Sequence, residues 1–154
     1  MSHYAEHLLL VLVTLWIGAM WSIGYLVAPT LFGMIGDRTL AGNVAGRLFT
    51  LVGWIGIGSA GYVLVFMAVR QRWRAFRSGL FWLVVAMLAT TLASQFGIQP
   101  LMAQMKAQAW PREVMDSMLR SRFATWHGIS SVLYLVQSVL GLVLVLGLRR
   151  LLAR

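Results

Sequence analysis

From Leu8 to Gly36 the chain carries no charged residue. About 20 helical residues cross the roughly 30 Å hydrocarbon core of a bilayer. This run exceeds that length, so the helix it forms is expected to tilt, kink or stop early. Pro29 marks the expected kink, because it brings no amide donor to the helical ladder. Gly36 followed by Asp37 reads as a helix end and then a new N-cap.

Three more apolar runs follow, so the spans are expected at about 8–35, 48–69, 79–99 and 123–148. Leu40, Val44 and Leu48 recur every four residues before the second run, with Arg38, Asn43 and Arg47 off that stripe. That pattern predicts a short amphipathic segment at the interface, or an early extension of the next span. The second run is rich in glycine (Gly53, Gly56, Gly58, Gly61). In lipid, small residues let helix backbones approach closely. The same glycines superficially match a dinucleotide-binding fingerprint, but no strand precedes them, so that reading fails. The expectation is all-α: one domain over 1–154, an integral membrane four-helix bundle.

Composition supports this solvent assignment. Hydrophobic residues make up 60 % of the chain and charged residues 11 %. Soluble domains carry about 45–50 % and about 25 %. The excess is too large for a small soluble core to absorb. Residues 1–7 lack Lys and Arg, so no positive region of a signal peptide precedes the first run, which is expected to stay as a helix. With no cysteine, disulfides, thiolate zinc sites, iron–sulfur clusters and thiol nucleophiles are excluded. The net charge of +9 sits in short segments between the runs, not on one continuous face, so no nucleic-acid partner is expected.

Four spans put both termini on one side. Seven Lys/Arg fall on that side and six on the other, but the seven are dense and hug the span ends. The positive-inside rule then makes the termini cytoplasmic and predicts a multipass protein of the bacterial inner membrane. Arg70, Arg72, Arg74 and Arg77, interleaved with Trp73 and Phe76, form a basic loop expected to meet anionic lipid or a protein partner.

Polar groups inside a span usually turn toward the bundle interior. Thr14, Gly18, Ser22, Tyr25 and Pro29 share one face of the first span, and Thr91, Gln95 and Gln99 one face of the third. His127, Ser131, Tyr134 and Ser138 do so in the fourth, with Ser130 and Gln137 beside them. Antiparallel packing places Tyr25, Gln95, Gln99, His127, Ser131 and Tyr134 toward one end. There they form either interhelical hydrogen bonds or a polar outer-leaflet cavity for a ligand. His127, the one histidine within a span, is a possible proton carrier. His3 and His7, one turn apart, are weak metal-ligand candidates. So are the soft thioethers of Met102, Met105, Met115 and Met118, which suit Cu(I). No carboxylate pair, nucleophile–base pair or phosphate loop supports a hydrolase or NTPase.

Three segments carry a family resemblance: WIGAMWSIGYLVAPTLFGMIGDRTLAGNVAGRLF (16–49), SQFGIQPLM (94–102) and FATWHGISSVLYL (123–135). The chain resembles the bacterial members of the transmembrane protein 205-like family, domain of unknown function 4149. The resemblance implies a four-span membrane protein without an established enzymatic activity. The eukaryotic relatives are associated with resistance to platinum drugs, which implies handling of soft-metal species. A fainter likeness to copper-resistance D proteins and membrane protoporphyrinogen oxidases rests on His7, Trp16, Gly18 and the Pro29–Phe32 step, with altered spacing. It implies haem or copper as a cofactor. The expected function is a non-enzymatic transport, metal-handling or assembly component. The alternatives are a haem- or porphyrin-linked oxidoreductase and a structural subunit, as a homo-oligomer or within a larger membrane complex.

Overall fold

A computed structural model describes residues 3–108 and 117–152, with side chains for 3–105 and 121–148. The described residues are all helical apart from short turns. Four helices are long and apolar enough to cross a membrane: His3–Met34, Arg38–Arg77, Gly79–Met105 and Ser121–Leu148. They are called spans one to four below.

Side-chain contacts fix an antiparallel register. In span two, Tyr62 donates to the Ala5 carbonyl and Ser59 to that of Leu12, while Gly56 faces Trp16. Partner numbers rise in span one as they fall in span two. Span four repeats the pattern against span three, with Gly147 at Leu80 and Gln137 at Met87. It does so again against span one, with Gly141 at Ile17 and Met20, and Tyr134 at Met20. Each span thus packs on its sequence neighbours, and span four closes the bundle onto span one. The start of span one, the end of span four and the 72–77 turn share one end, called the terminal end below.

Leu9, Val13, Trp16, Ile17 and Met20 are the buried residues of His3–Ser22, and their spacing of three and four keeps them on one stripe. They meet Val52, Val63, Phe66 and Met67 of span two, Val84 and Met87 of span three, and Leu144 and Leu148 of span four. Against lipid this burial brings little hydrophobic gain, so cohesion rests on van der Waals packing and interhelical hydrogen bonds. Gly56 shows how tight that packing is. A Cβ there would lie 2.7 Å from the Trp16 indole nitrogen, so only glycine lets this fully buried ring fill the interface.

Local structure refines three expectations. Arg38–Gln71 is one continuous helix capped by the Asp37 side chain, which accepts from the Thr39 and Leu40 amides. Of the two forms expected, the segment after Asp37 is therefore the early extension of span two and not a separate amphipathic segment between spans one and two. Span one stays helical through Pro29, the expected kink site. A π-helical turn, Ile23–Val27, precedes it, closed by the Ala28 amide on the Ile23 carbonyl, and the helix runs on as Ala28–Met34. Widening the ladder by one residue is how the chain absorbs the missing donor. Span three does the same: Ser94–Ile98 is π-helical, the Gln99 amide bonds the Ser94 carbonyl, and Pro100 follows. The third helix then continues through Gln99–Gln108, past the expected end of the span at 99.

Candidate functional site

The two π turns lie in the half of the bundle away from the terminal end. Pro29 and Pro100 supply no amide, so the carbonyls of Gly24 and Tyr25, and of Gln95 and Phe96, share one ladder donor fewer. Polar and aromatic side chains gather around these breaks. The half-buried Tyr134 donates its hydroxyl to the Met20 carbonyl at 2.5 Å. Its ring stands 6.3 Å from Tyr25 and edge-on to Phe49 at 5.1 Å. It also lies across Gly24, where a Cβ would come within 2.3 Å of the ring. The half-buried Gln95 donates to the Thr50 carbonyl at 3.3 Å and rests its amide oxygen against Gly53.

The other expected members are placed differently. Tyr25 is 42 % exposed and stacks at a tilt on Trp21. Gln99 is half-buried in the turn beyond the π segment. His127 is exposed and lies parallel to Phe123 with ring centroids 6.1 Å apart. Its carbonyl accepts from the Ser130 and Ser131 hydroxyls at 2.9 and 2.8 Å, so Ser131, also exposed, bonds its own helix. The structure thus brings Tyr25 and Tyr134 together at the first break and sets Gln95 on span two. It leaves His127 and Ser131 on an outward face of span four.

Gln137, which the sequence put only beside the polar stripe, is the polar group held deepest between spans three and four. It is 7 % exposed, and its amide nitrogen donates to the Met87 carbonyl and to the Thr91 hydroxyl, both at 2.9 Å. Thr91 in turn donates to the Met87 carbonyl. The amide oxygen of Gln137 has no partner. A carbonyl can only accept, so the contact with Met87 sets which end of the amide points away. A signal was present: Gln137, Gly141, Leu144 and Leu148 follow one helical stripe, and all four are buried. Ser59 and Ser138 are likewise buried, each bonded to a backbone carbonyl.

Span one overturns the rule that polar groups face inward. Thr14, Gly18, Ser22, Tyr25 and Pro29 are all exposed, and the opposite face fills the core. Exposed Ala89, Ala93 and Gly97 form a similar small-residue line on span three.

Of the metal candidates, His3 and His7 are exposed on the first turns of span one, and Met102 and Met105 are half-buried on Gln99–Gln108. Met115 lies outside the described residues, as does the side chain of Met118. Among the described residues no three His, Cys, Asp or Glu side chains converge. His3 and His7 alone give two imidazoles on the first turns of one helix, short of the closed shell a tightly held metal needs.

At the terminal end, Arg70 pairs with Glu6 across spans one and two and lies over the Phe66 ring at 5.8 Å. Arg72–Arg77 forms a 3-10 turn whose Ala75 is fully buried. Arg72 opens it at φ 51° and ψ −131°, a backbone region that favours glycine.

Long apolar helices around an apolar core, with the polar breaks toward one end, define an all-α bundle of four candidate membrane spans. The chain matches the family model described as "Domain of unknown function (DUF4149)" over residues 11–111, and it belongs to that family. The matched part holds both π turns and the arginine loop; Tyr134 and Gln137 lie beyond it. No curated protein and no solved structure matches the chain.

Proposed function

We propose that this protein is a non-enzymatic, multipass component of the bacterial inner membrane that acts by association, as a subunit or assembly partner. Its termini are cytoplasmic, by the density of arginines at the terminal end. The observation that carries this reading is the inverted span one. Its polar stripe faces out, and the hydroxyls of Thr14 and Ser22 have no hydrogen-bond partner among the described residues, while Trp16, Met20, Met67 and Met87 fill the interior. Small and hydroxylated residues on a lipid-facing helix are the chemistry of a helix–helix contact. The occupant this reading commits to is a second copy of the chain. Native mass spectrometry of gently solubilised membranes tests it. Wild type should run as an oligomer and the Thr14→Leu/Gly18→Ile/Ser22→Leu variant as a folded monomer. A wild-type protomer that is single in every mild detergent sinks the homo-oligomer.

A second reading, small-ligand binding within the bundle, is favoured by the unpartnered Gln137 oxygen and by the ladder gaps near Tyr25 and Gln95. Such oxygens accept from a hydrogen-bond donor or a cation, as interrupted helices do in transporters. An absorption spectrum with elemental analysis of the purified protein comes first. A Soret band or stoichiometric copper points to haem or metal handling. A colourless, metal-free sample whose melting temperature no inorganic or organic cation shifts removes this reading.

A further inference from the structure

The loop between spans two and three lies at the membrane–water boundary, because a membrane-spanning helix ends on each side of it. It is a built structure. Ala75 is buried in the core, Phe76 packs edge-on against Phe81 at 5.0 Å, and the Trp82 indole donates to the Phe76 carbonyl at 2.9 Å. Its four arginines fall into two groups. Arg70 is consumed by Glu6, the one ion pair among the described residues. Arg72, Arg74 and Arg77 are exposed and have no carboxylate partner there. With Gln71, Trp73, Ser78, Gly79 and Arg70, whose charge Glu6 already offsets, they line an open basin of about 1020 Å³.

We propose that this basin holds the phosphate headgroup of an anionic phospholipid, with Arg72, Arg74 and Arg77 as its ligands and Arg70 as a clamp between spans. Guanidinium groups match phosphate oxygens in charge and fork geometry. The aromatic residues select a lipid over a free anion. Trp73 is 83 % exposed and Phe76 48 %, and their rings are 6.1 Å apart, so an apolar face adjoins the cationic one. An amphiphile covers both faces at once: phosphate on the arginines, glycerol and upper chain on the rings. Inorganic phosphate covers only the first. This assignment goes beyond the association proposed above and does not depend on it.

The test is lipid retention by native mass spectrometry in detergent, where membrane orientation plays no part. Wild type titrated with phosphatidylglycerol and phosphatidylcholine should keep the anionic lipid preferentially. Three arginines near a charged surface are worth on the order of a hundredfold in affinity. Arg72→Gln/Arg74→Gln/Arg77→Gln should lose that preference with its helical circular dichroism unchanged, whereas Arg70→Gln should keep it. Should the triple variant misfold, the single Arg74→Gln and Arg77→Gln substitutions must each lower retention by several-fold. Equal retention of the two lipids by wild type overturns the assignment. So does equal loss on Arg70→Gln, or full displacement of the lipid by millimolar inorganic phosphate, which would mark a free-anion site.

Discussion

Gly24→Ala is the sharpest probe of the far half of the bundle. A Cβ at Gly24 meets the Tyr134 ring at 2.3 Å, where ordinary contact begins at 3.4 Å, so the ring must retreat by about 1 Å. It is not free to do so, because its hydroxyl is tied to the Met20 carbonyl and its edge to Phe49. Overpacking of this kind costs about 1–3 kcal/mol. Losing the interhelical hydrogen bond adds about 0.6 kcal/mol. Helix propensity works in the other direction by up to about 1 kcal/mol. Gly18→Ala removes that term by comparison, since nothing lies within 4 Å of a Cβ there. The difference between the two variants should be about 2–3 kcal/mol against Gly24→Ala. Reversible unfolding in mixed micelles, followed by circular dichroism, gives both values. In a Tyr134→Ala background the Gly24→Ala cost should vanish. Equal stability of the two alanine variants, or a cost that survives removal of the ring, refutes the packing argument.

The same assay checks three further expectations. Gly56→Ala, whose Cβ would press on the buried Trp16 indole at 2.7 Å, should lose about 1–3 kcal/mol, while Gly58→Ala, in open space, should lose none. Gln137→Leu forfeits two hydrogen bonds of about 0.6 kcal/mol each but also removes an unpartnered buried oxygen, so stability should stay within about 1 kcal/mol. A loss above about 3 kcal/mol would mean that the oxygen binds a water or ligand. Glu6→Gln should lower the unfolding midpoint and add nothing in an Arg70→Gln background, because the two side chains form one pair. Additive losses would show that they act separately.

The spans were legible because length and absence of charge are properties of single residues summed along a window. The helical boundaries were less so. Pro29 reads as a kink, and the chain keeps a helix through it by means of a π turn, Ile23–Val27, and repeats the device before Pro100. Nothing in the residue identities separates a π turn from a kink, since both answer the same missing amide. The segment after Asp37 could be read as interfacial or as an extension; its Ala41 and Ala45 are buried, so the helix packs from its first turn and is continuous with span two.

The facing of each span was the least legible feature, and the reason is physical. In water, polarity tells inside from outside because exposure of apolar surface is penalised. In lipid that penalty disappears, and close packing decides which face turns inward. Trp16 and Met20 fill volume against Gly56 and Gly141, so span one turns them in and leaves Thr14 and Ser22 out. Span four shows the opposite case: Gln137 is buried because its amide reaches the Met87 carbonyl, while His127 and Ser131, one to three turns away on a flanking face, are not. Polar groups in such a bundle therefore mark two different things. Buried ones that reach a carbonyl stitch the protomer together, as Ser59, Tyr62 and Gln137 do. Exposed ones, such as Thr14 and Ser22, are left over by the fold. A helical hydroxyl can bond its own i−4 carbonyl, as Thr30, Thr50 and Ser131 do, so what these positions offer is a small, polar surface to another helix. That surface, and not the polarity of the sequence as a whole, is the reason to look for this protein's function on the outer face of span one.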